Sequence, residues 1–341
     1  MKAVYLTGNR QVEVRDIPAP EAGRNQVVVK IKVSAICGSD LHTYSRIPGP
    51  GDEPCVCGHE PCGDIYAVGE GVTNLHPGQR AALYHYHGCG TCKYCAAGLM
   101  QHCQGRAGFG SVRVPGGDAE YMLVNAYNVL PLPEPLSYVD GAFVACIAST
   151  AYRALTKLKP GAQKKFCVYG LGPVGLTAVK LAKAMGAGYI IGVDPNDGRR
   201  GLALKAGADA ALDSGPDLVK TIRELTGGGA DITLETSGSI AAQRNAVESA
   251  AQFGEIAVVG IAGLYDKEGG VNLSGIIGKE LSIYGSFVIA LPQIHELLKL
   301  MVDKDIHFDD LVTHRFAIGE AAEAFALFDK GETGKVVFEF N

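Results

Sequence analysis

The chain has 341 residues, 47% of them apolar, and a formal net charge of -5 with no long block of one sign. That is enough for about two domains with real cores, and it argues against a nucleic acid or an anionic membrane surface as the main partner. No apolar run approaches the roughly 18 residues that span a bilayer and the N-terminal stretch lacks a signal-peptide core, so a cytoplasmic protein acting on small molecules is expected.

Residues 1 to 135 read as short strands, such as Val27 to Val33, separated by Gly- and Pro-rich turns. Cys37 and His59 stand among them, and Cys146 follows just beyond. A catalytic zinc takes three protein ligands and keeps one position for water or substrate. No local spacing links these three residues, and isolated cysteines and histidines are more often structural, so their chemistry alone leaves the set open.

Cys89, Cys92, Cys95 and Cys103 form the run Cys-x2-Cys-x2-Cys-x7-Cys. Two-residue gaps let successive thiolates converge on one centre, and four sulfurs with no position for solvent make a closed, structural zinc site. An iron–sulfur cluster also takes four cysteines, but this spacing matches neither ferredoxin pattern. Cys55, Cys57 and Cys62 add three thiols close to His59 in sequence. They read as small buried residues, with a redox-sensitive or second metal-binding edge as the sharper alternative.

From about Pro160 strands and helices alternate, with apolar runs at 166–169, 189–193, 232–234, 256–259 and 281–284, which implies a parallel sheet covered by helices on both faces. The first run leads into Gly170-Leu171-Gly172-Pro173-Val174-Gly175, a helical pattern through Met185, and a second run ending at Asp194. Strand, glycine turn, helix and strand in this order place a pyrophosphate at a helix N-terminus, where no Cβ blocks its approach. Asp194 can accept both hydroxyl protons of an adenosine ribose and repels a 2′-phosphate, which favours NAD, while Arg199 and Arg200 keep NADP open. Beyond Gly285 the pattern predicts an amphipathic helix through Ile294, Leu297, Leu298 and Met301, a second at 321–328, and a last strand at 336–340 that packs back on the first domain.

Taken in order, Cys37-x-Ser39-Asp40-x-His42, Gly58-His59-Glu60, the four clustered cysteines, Cys146 ahead of Ser149-Thr150, the glycine turn and Asp194 resemble the zinc-containing medium-chain dehydrogenases of the alcohol and polyol type. The likeness runs over essentially the whole chain. It implies a doubly wound (Rossmann) α/β cofactor domain at 151–287 and a mostly β, GroES-like catalytic domain at 1–150 and 288–341. It also implies a catalytic zinc on Cys37, His59 and Cys146, Glu60 beside it as an occasional or indirect ligand, and Asp40 orienting the ring of His59.

The activity implied is hydride transfer between a secondary alcohol or polyol and NAD, with zinc lowering the pKa of the alcohol. Ser39 and His42 match the positions that relay the proton; ordinary helix-start chemistry is the alternative for both. Arg199 is implied beside the ribose, and Val259, Gly260 and Ile261 near the nicotinamide. Gly38 departs from members that carry a basic residue there, and Cys146 from polyol-type members that carry an acid, so the subfamily signals conflict. The run Tyr84-His85-Tyr86-His87 falls on the substrate-pocket stretch, with His85 at a position that is aromatic and apolar in simple alcohol dehydrogenases, and two rings with polar tips favour a hydroxylated substrate over ethanol. Homodimers or homotetramers are usual in the family, with Leu281 to Ile289 as the expected seam. An NADPH-dependent carbonyl reductase of the same fold and a non-catalytic zinc-binding scaffold stay open as alternatives.

Overall fold

The structure, a computed structural model, describes residues 1–261 and 271–341. It divides into two units, Met1–Ser149 with Ile289–Asn341, and Thr150–Val288.

The second unit is built on six parallel strands: Lys165–Tyr169, Tyr189–Val193, Ala210–Leu212, Ala230–Glu235, Ala250–Val258 and Ser282–Gly285. Numbered in chain order, they lie 3-2-1-4-5-6 across the sheet. The order reverses between Lys165–Tyr169 and Ala230–Glu235, the switch point where open sheets of this kind bind ligands. Phe166, Cys167, Val168 and Tyr169 are all buried, as are Ile190 and Ile191, so both faces of these strands are covered. Ala210–Leu212 has no counterpart among the predicted strands, because three half-buried residues carry too short a pattern to read.

Helix Pro173–Ala184 starts where Pro173 can sit at its first turn without losing a needed hydrogen bond. It buries Leu176, Ala178, Val179, Leu181 and Ala182. It ends just before Gly186, whose φ of +90° no ordinary side chain adopts easily.

In the first unit the main sheet runs Val312–Phe316, Lys335–Glu339, Gln26–Ala35, Pro61–Val68, Arg80–Leu83 and Val129–Pro131, with Tyr121–Asn125 also paired to Gln26–Ala35. Val27, Val29, Ile31, Ile65, Leu83, Phe109 and Met122 share one core. A second core joins Val4, Leu6 and Ile36 to Phe325, Phe328, Val336 and Phe338. Helix Leu291–Asp303 turns Ile294, Leu297, Leu298 and Met301 inward, at the spacing a helical stripe requires. The strand Lys335–Glu339 pairs with Val312–Phe316 on one side and Gln26–Ala35 on the other. The last strand is therefore interior to the sheet, not an appendage. Among the described residues no helix is long and apolar enough to cross a membrane.

Candidate functional site

The sulfur atoms of Cys89, Cys92, Cys95 and Cys103 all lie within 4.8 Å of one another. Cys92 and Cys95 are 3.6 Å apart, and Cys89 and Cys95 are 3.9 Å apart. Four sulfurs at about 2.3 Å from a tetrahedral zinc sit about 3.8 Å from each other, so the donor set fits that ion. Hydrogen bonds from the backbone and hydroxyl of Thr91 pull the Cys89 thiol down to about 6, which makes it a thiolate at neutral pH.

A second cluster joins Cys37, His59, Glu60 and Cys146, again with one donor atom from each within 4.8 Å of the rest. Cys37 lies in the turn between strand Gln26–Ala35 and helix Asp40–Ser45. His59 and Glu60 directly precede strand Pro61–Val68, and Cys146 separates helices Tyr138–Ala145 and Ile147–Leu158. Asp40 orders two of these residues at once. Its Oδ1 is 3.0 Å from His59 Nδ1 and its Oδ2 accepts the Cys37 N–H at 2.8 Å. With Nδ1–H directed at Asp40, Nε2 of His59 keeps its lone pair for a metal. Burial works against a charged His59, but Asp40 and Cys37 outweigh it and leave the ring more basic than usual. A hydrogen bond from Cys146 draws the Cys37 thiol well below its ordinary range, aided by His59 and against burial.

The backbone beneath His59 is equally constrained. Gly58 has a φ of +90°, and a Cβ there would lie 2.2 Å from Asp118 Oδ1. Asp118 itself is buried, accepts from Ser34 Oγ at 2.5 Å and from Cys57 Sγ at 3.2 Å, and is pushed up to about 6 chiefly by burial. It is a support for the metal loop that sequence reasoning missed, since nothing local marks it. Cys57 is thus a donor inside this support, its thiol raised by burial and by Asp118. Cys62 donates to the Ala81 carbonyl and Cys55 to that of Gly110, and burial raises both. None of the three is the low-pKa, exposed thiol that redox sensing needs.

Glu60 is wholly buried, and neither of its oxygens makes an aligned hydrogen bond among the described residues. Oε2 forms an ion pair with Lys335 Nζ at 2.6 Å, and Oε1 lies 3.9 Å from His59 Nε2. A buried carboxylate with one oxygen left unpaired, beside two thiols and an imidazole, fits a divalent cation. Burial raises the Glu60 carboxyl, and the ammonium of Lys335 opposes that by favouring the ionised form.

Around this cluster the predicted pocket residues separate. Ser39 Oγ does not cap its helix and stands 3.5 Å from His59 Nε2, whereas the His42 side chain is exposed on the helix surface. Within the run 84–87, Tyr84 turns inward: its hydroxyl is buried and bonds Gln101 and the Ile289 carbonyl. His85 is 4% exposed, with its ring centre 5.5 Å from that of His59. Its Nδ1 donates to the Ala145 carbonyl at 2.5 Å, and burial, then His59, push it down to about 3. The neutral ring therefore carries a lone pair on Nε2, which has no hydrogen-bond partner among the described residues.

In the second unit the glycine turn occupies the switch point of the sheet. Gly170 takes a φ of +86°, and a Cβ on it would press on Ser237 at 2.8 Å. A Cβ on Gly175 would lie 1.9 Å from the Gly170 carbonyl oxygen, so helix and turn can close only on glycine. Gly172 faces open space instead, in a cradle that a phosphate could enter. It precedes Pro173, Val174 and the first helical N–H groups, with no side chain capping them. Asp194 accepts the Leu171 N–H at 2.7 Å and the Asn196 N–H at 2.8 Å. Arg200 is committed locally, to the Asp194 and Pro195 carbonyls at 2.8 and 2.9 Å and to Asp197 at 3.0 Å. The Arg199 N–H bonds Asn196, and its guanidinium is depressed by burial and partly restored by Asp194. Val259 and Gly260 donate to the Glu235 carbonyl, and Ile261 is exposed.

Family models described as an alcohol dehydrogenase GroES-like domain and a zinc-binding dehydrogenase match residues 23–134 and 173–303. An uncharacterized zinc-type alcohol dehydrogenase-like protein, YphC of Escherichia coli K12, is 37% identical over 100% of this chain and 99% of its own length. Sorbitol dehydrogenase of Halalkalibacterium halodurans is 33% identical over 99% of this chain and 98% of its own. Among solved structures, alcohol dehydrogenase TADH from Thermus sp. ATN1 superposes with a TM-score of 0.91 at 29% identity, covering 100% of both chains. With two clusters whose donors suit zinc and a parallel sheet of dinucleotide-binding order, the chain belongs to the zinc-binding medium-chain alcohol and polyol dehydrogenase family.

Proposed function

We propose that this enzyme oxidises a secondary alcohol or polyol with NAD, through a catalytic zinc on Cys37, His59 and Cys146, and that the zinc on Cys89, Cys92, Cys95 and Cys103 is structural. The observation that carries the reading is the contrast between the clusters. One has four sulfurs and no vacancy, whereas the other has three donors and a carboxylate engaged by a lysine. Zinc supplies a Lewis acid that lowers the pKa of an alcohol, and NAD supplies the hydride acceptor. Asp40 holds His59 in the ligating tautomer. Ser39, beside His59, takes the alcohol proton and passes it toward His42 and solvent.

His85 supports the substrate class. Its Nε2 accepts a hydrogen bond from a second hydroxyl on the substrate, which ethanol lacks. Loss of one such hydrogen bond costs about 0.5–1.5 kcal/mol, or roughly two- to tenfold in selectivity. For the cofactor, Asp194 favours free ribose hydroxyls, and Arg200 is already engaged, which leaves it poorly placed to hold a 2′-phosphate. In this reading the first unit carries catalysis, the second binds NAD, and the exposed edge strand Ser282–Gly285 is the seam of a homodimer or homotetramer. A panel of alcohols, polyols and sugars, read by nicotinamide absorbance with NAD and NADP in parallel, tests it. Activity with polyols and NAD is expected; ethanol as the best substrate or NADP as the better cofactor rejects the corresponding half.

A further inference from the structure

Lys335 has no place in the scheme so far, yet it is one of the most unusual residues of the chain. Its side chain is 0% exposed, as is that of Glu60, and the two charges meet at 2.6 Å. A wholly buried ammonium is retained only where something compensates it. Glu60 is the acid paired with it, and the other oxygen of that acid faces the metal cluster, 3.9 Å from His59 Nε2. One carboxylate is thus shared between a lysine and a metal site.

We propose that Lys335 is a positioning residue that withholds the Glu60 carboxylate from the metal, so that the fourth ligand position stays open to substrate. The inference rests on the assignment of Cys37, His59 and Cys146 as ligands. Three features of the site support it. One carboxylate oxygen of Glu60 lies within 4.8 Å of a donor atom on each of the other three residues, and Oε1, 3.9 Å from His59 Nε2, lacks a hydrogen bond, so Glu60 can serve as a fourth ligand. A site with all four positions filled by protein is of the closed type and cannot take a substrate. The counter-pull comes from a rigid place, because Lys335 begins a strand held in the sheet on both sides. Charge points the same way. Two thiolates and a carboxylate exceed a divalent cation by one negative charge, and Lys335, wholly buried against Glu60, restores neutrality.

The test uses full-length zinc enzyme in four forms: wild type, Lys335→Met, Lys335→Arg and the double variant Glu60→Gln/Lys335→Met. Two measurements are independent of turnover: the rate of zinc release to a chelator, and the visible spectrum after cobalt replaces zinc at the Cys37 site. In Lys335→Met the freed carboxylate joins the ligand set. Release from that site then slows about tenfold, the cobalt spectrum changes and no longer responds to added alcohol, and kcat falls by a similar factor. Lys335→Arg and the double variant, which respectively keep the counter-charge and lack the carboxylate, release zinc within about threefold of wild type. Lys335→Met that holds both zinc ions, releases them at the wild-type rate or faster and keeps a wild-type cobalt spectrum overturns the proposal. If Lys335→Met does not accumulate as folded protein, Lys335→Gln, which keeps a donor without charge, is judged by the same two readouts. One zinc per chain in the wild type refutes the ligand assignment itself, which separates the two failures.

Discussion

At the scale of single residues, buried carboxylates do most of the organising in the first unit. Asp40 orients Cys37 and His59 of the second cluster, Asp118 supports the loop beneath His59, and Asp140 ties a helix to the C-terminal segment. Asp140 completes a capping box with Ser137 at the start of helix Tyr138–Ala145, accepts the Phe308 N–H at 2.8 Å and meets His307 Nδ1 at 2.8 Å. The hydrogen bond to Asp140 raises the pKa of His307, with burial opposing it. A raised histidine stabilises the fold fully below its ordinary pKa of about 6.5, and that contribution disappears as pH rises through the raised value. His307 is 38% exposed, so solvent screening keeps the effect within about 1 kcal/mol. Thermal unfolding of His307→Gln should therefore fall below wild type at mildly acid pH and converge with it at alkaline pH. A gap that is constant with pH would mean that shape, not charge, is what His307 contributes.

At the scale of elements, the glycine turn and helix Pro173–Ala184 act as one unit, because each fits only in contact with the other. Gly175→Ala places a methyl group 1.9 Å from a backbone oxygen, which flexible side chains cannot relieve. The helix must retreat from the turn, at a cost of about 1–3 kcal/mol typical of overpacking. The N–H groups at its start move with it, so NADH should bind about tenfold or more weakly in a fluorescence titration, with zinc content unchanged. Unaltered NADH affinity would show that the turn does not contact the cofactor phosphates. The glycine motif was readable in advance since its six residues are consecutive. Thr236, whose hydroxyl donates to the Gly170 carbonyl at 2.8 Å, and Glu235, which accepts from Ser237 and Gly238, were not. They end and follow the strand Ala230–Glu235, which is adjacent in the sheet but distant along the chain.

At the scale of the whole molecule, the end of the chain belongs to the middle of the first unit. Lys335, Val336, Val337 and Phe338 are all 0% exposed, in a strand that joins Val312–Phe316 to Gln26–Ala35. Loss of Phe338 alone costs about 3–5 kcal/mol, a large share of the 5–15 kcal/mol that holds a typical domain. Deletion of residues 335–341 should yield insoluble protein or protein without zinc, whereas removal of the exposed Asn341 alone should be silent. Soluble, zinc-loaded protein after the longer deletion would contradict the topology described for this sheet.

The amino-acid sequence by itself determined the parts whose chemistry is local. Four thiols within a short run can converge only on one centre, and a strand, glycine turn, helix and acid follow each other without interruption. Helical stripes such as Ile294, Leu297, Leu298 and Met301 are local in the same sense. Tertiary structure decided the rest: that Lys335 meets Glu60, that Asp118 lies under Gly58, that His307 finds Asp140 at a separation of 167 residues, and that Tyr84 turns inward while His85 keeps one nitrogen open. The reason is physical. A residue's spacing along the chain fixes what its near neighbours can do together. The partner of a buried charge is set by which surfaces exclude water from it, and that becomes defined only once the sheets have closed.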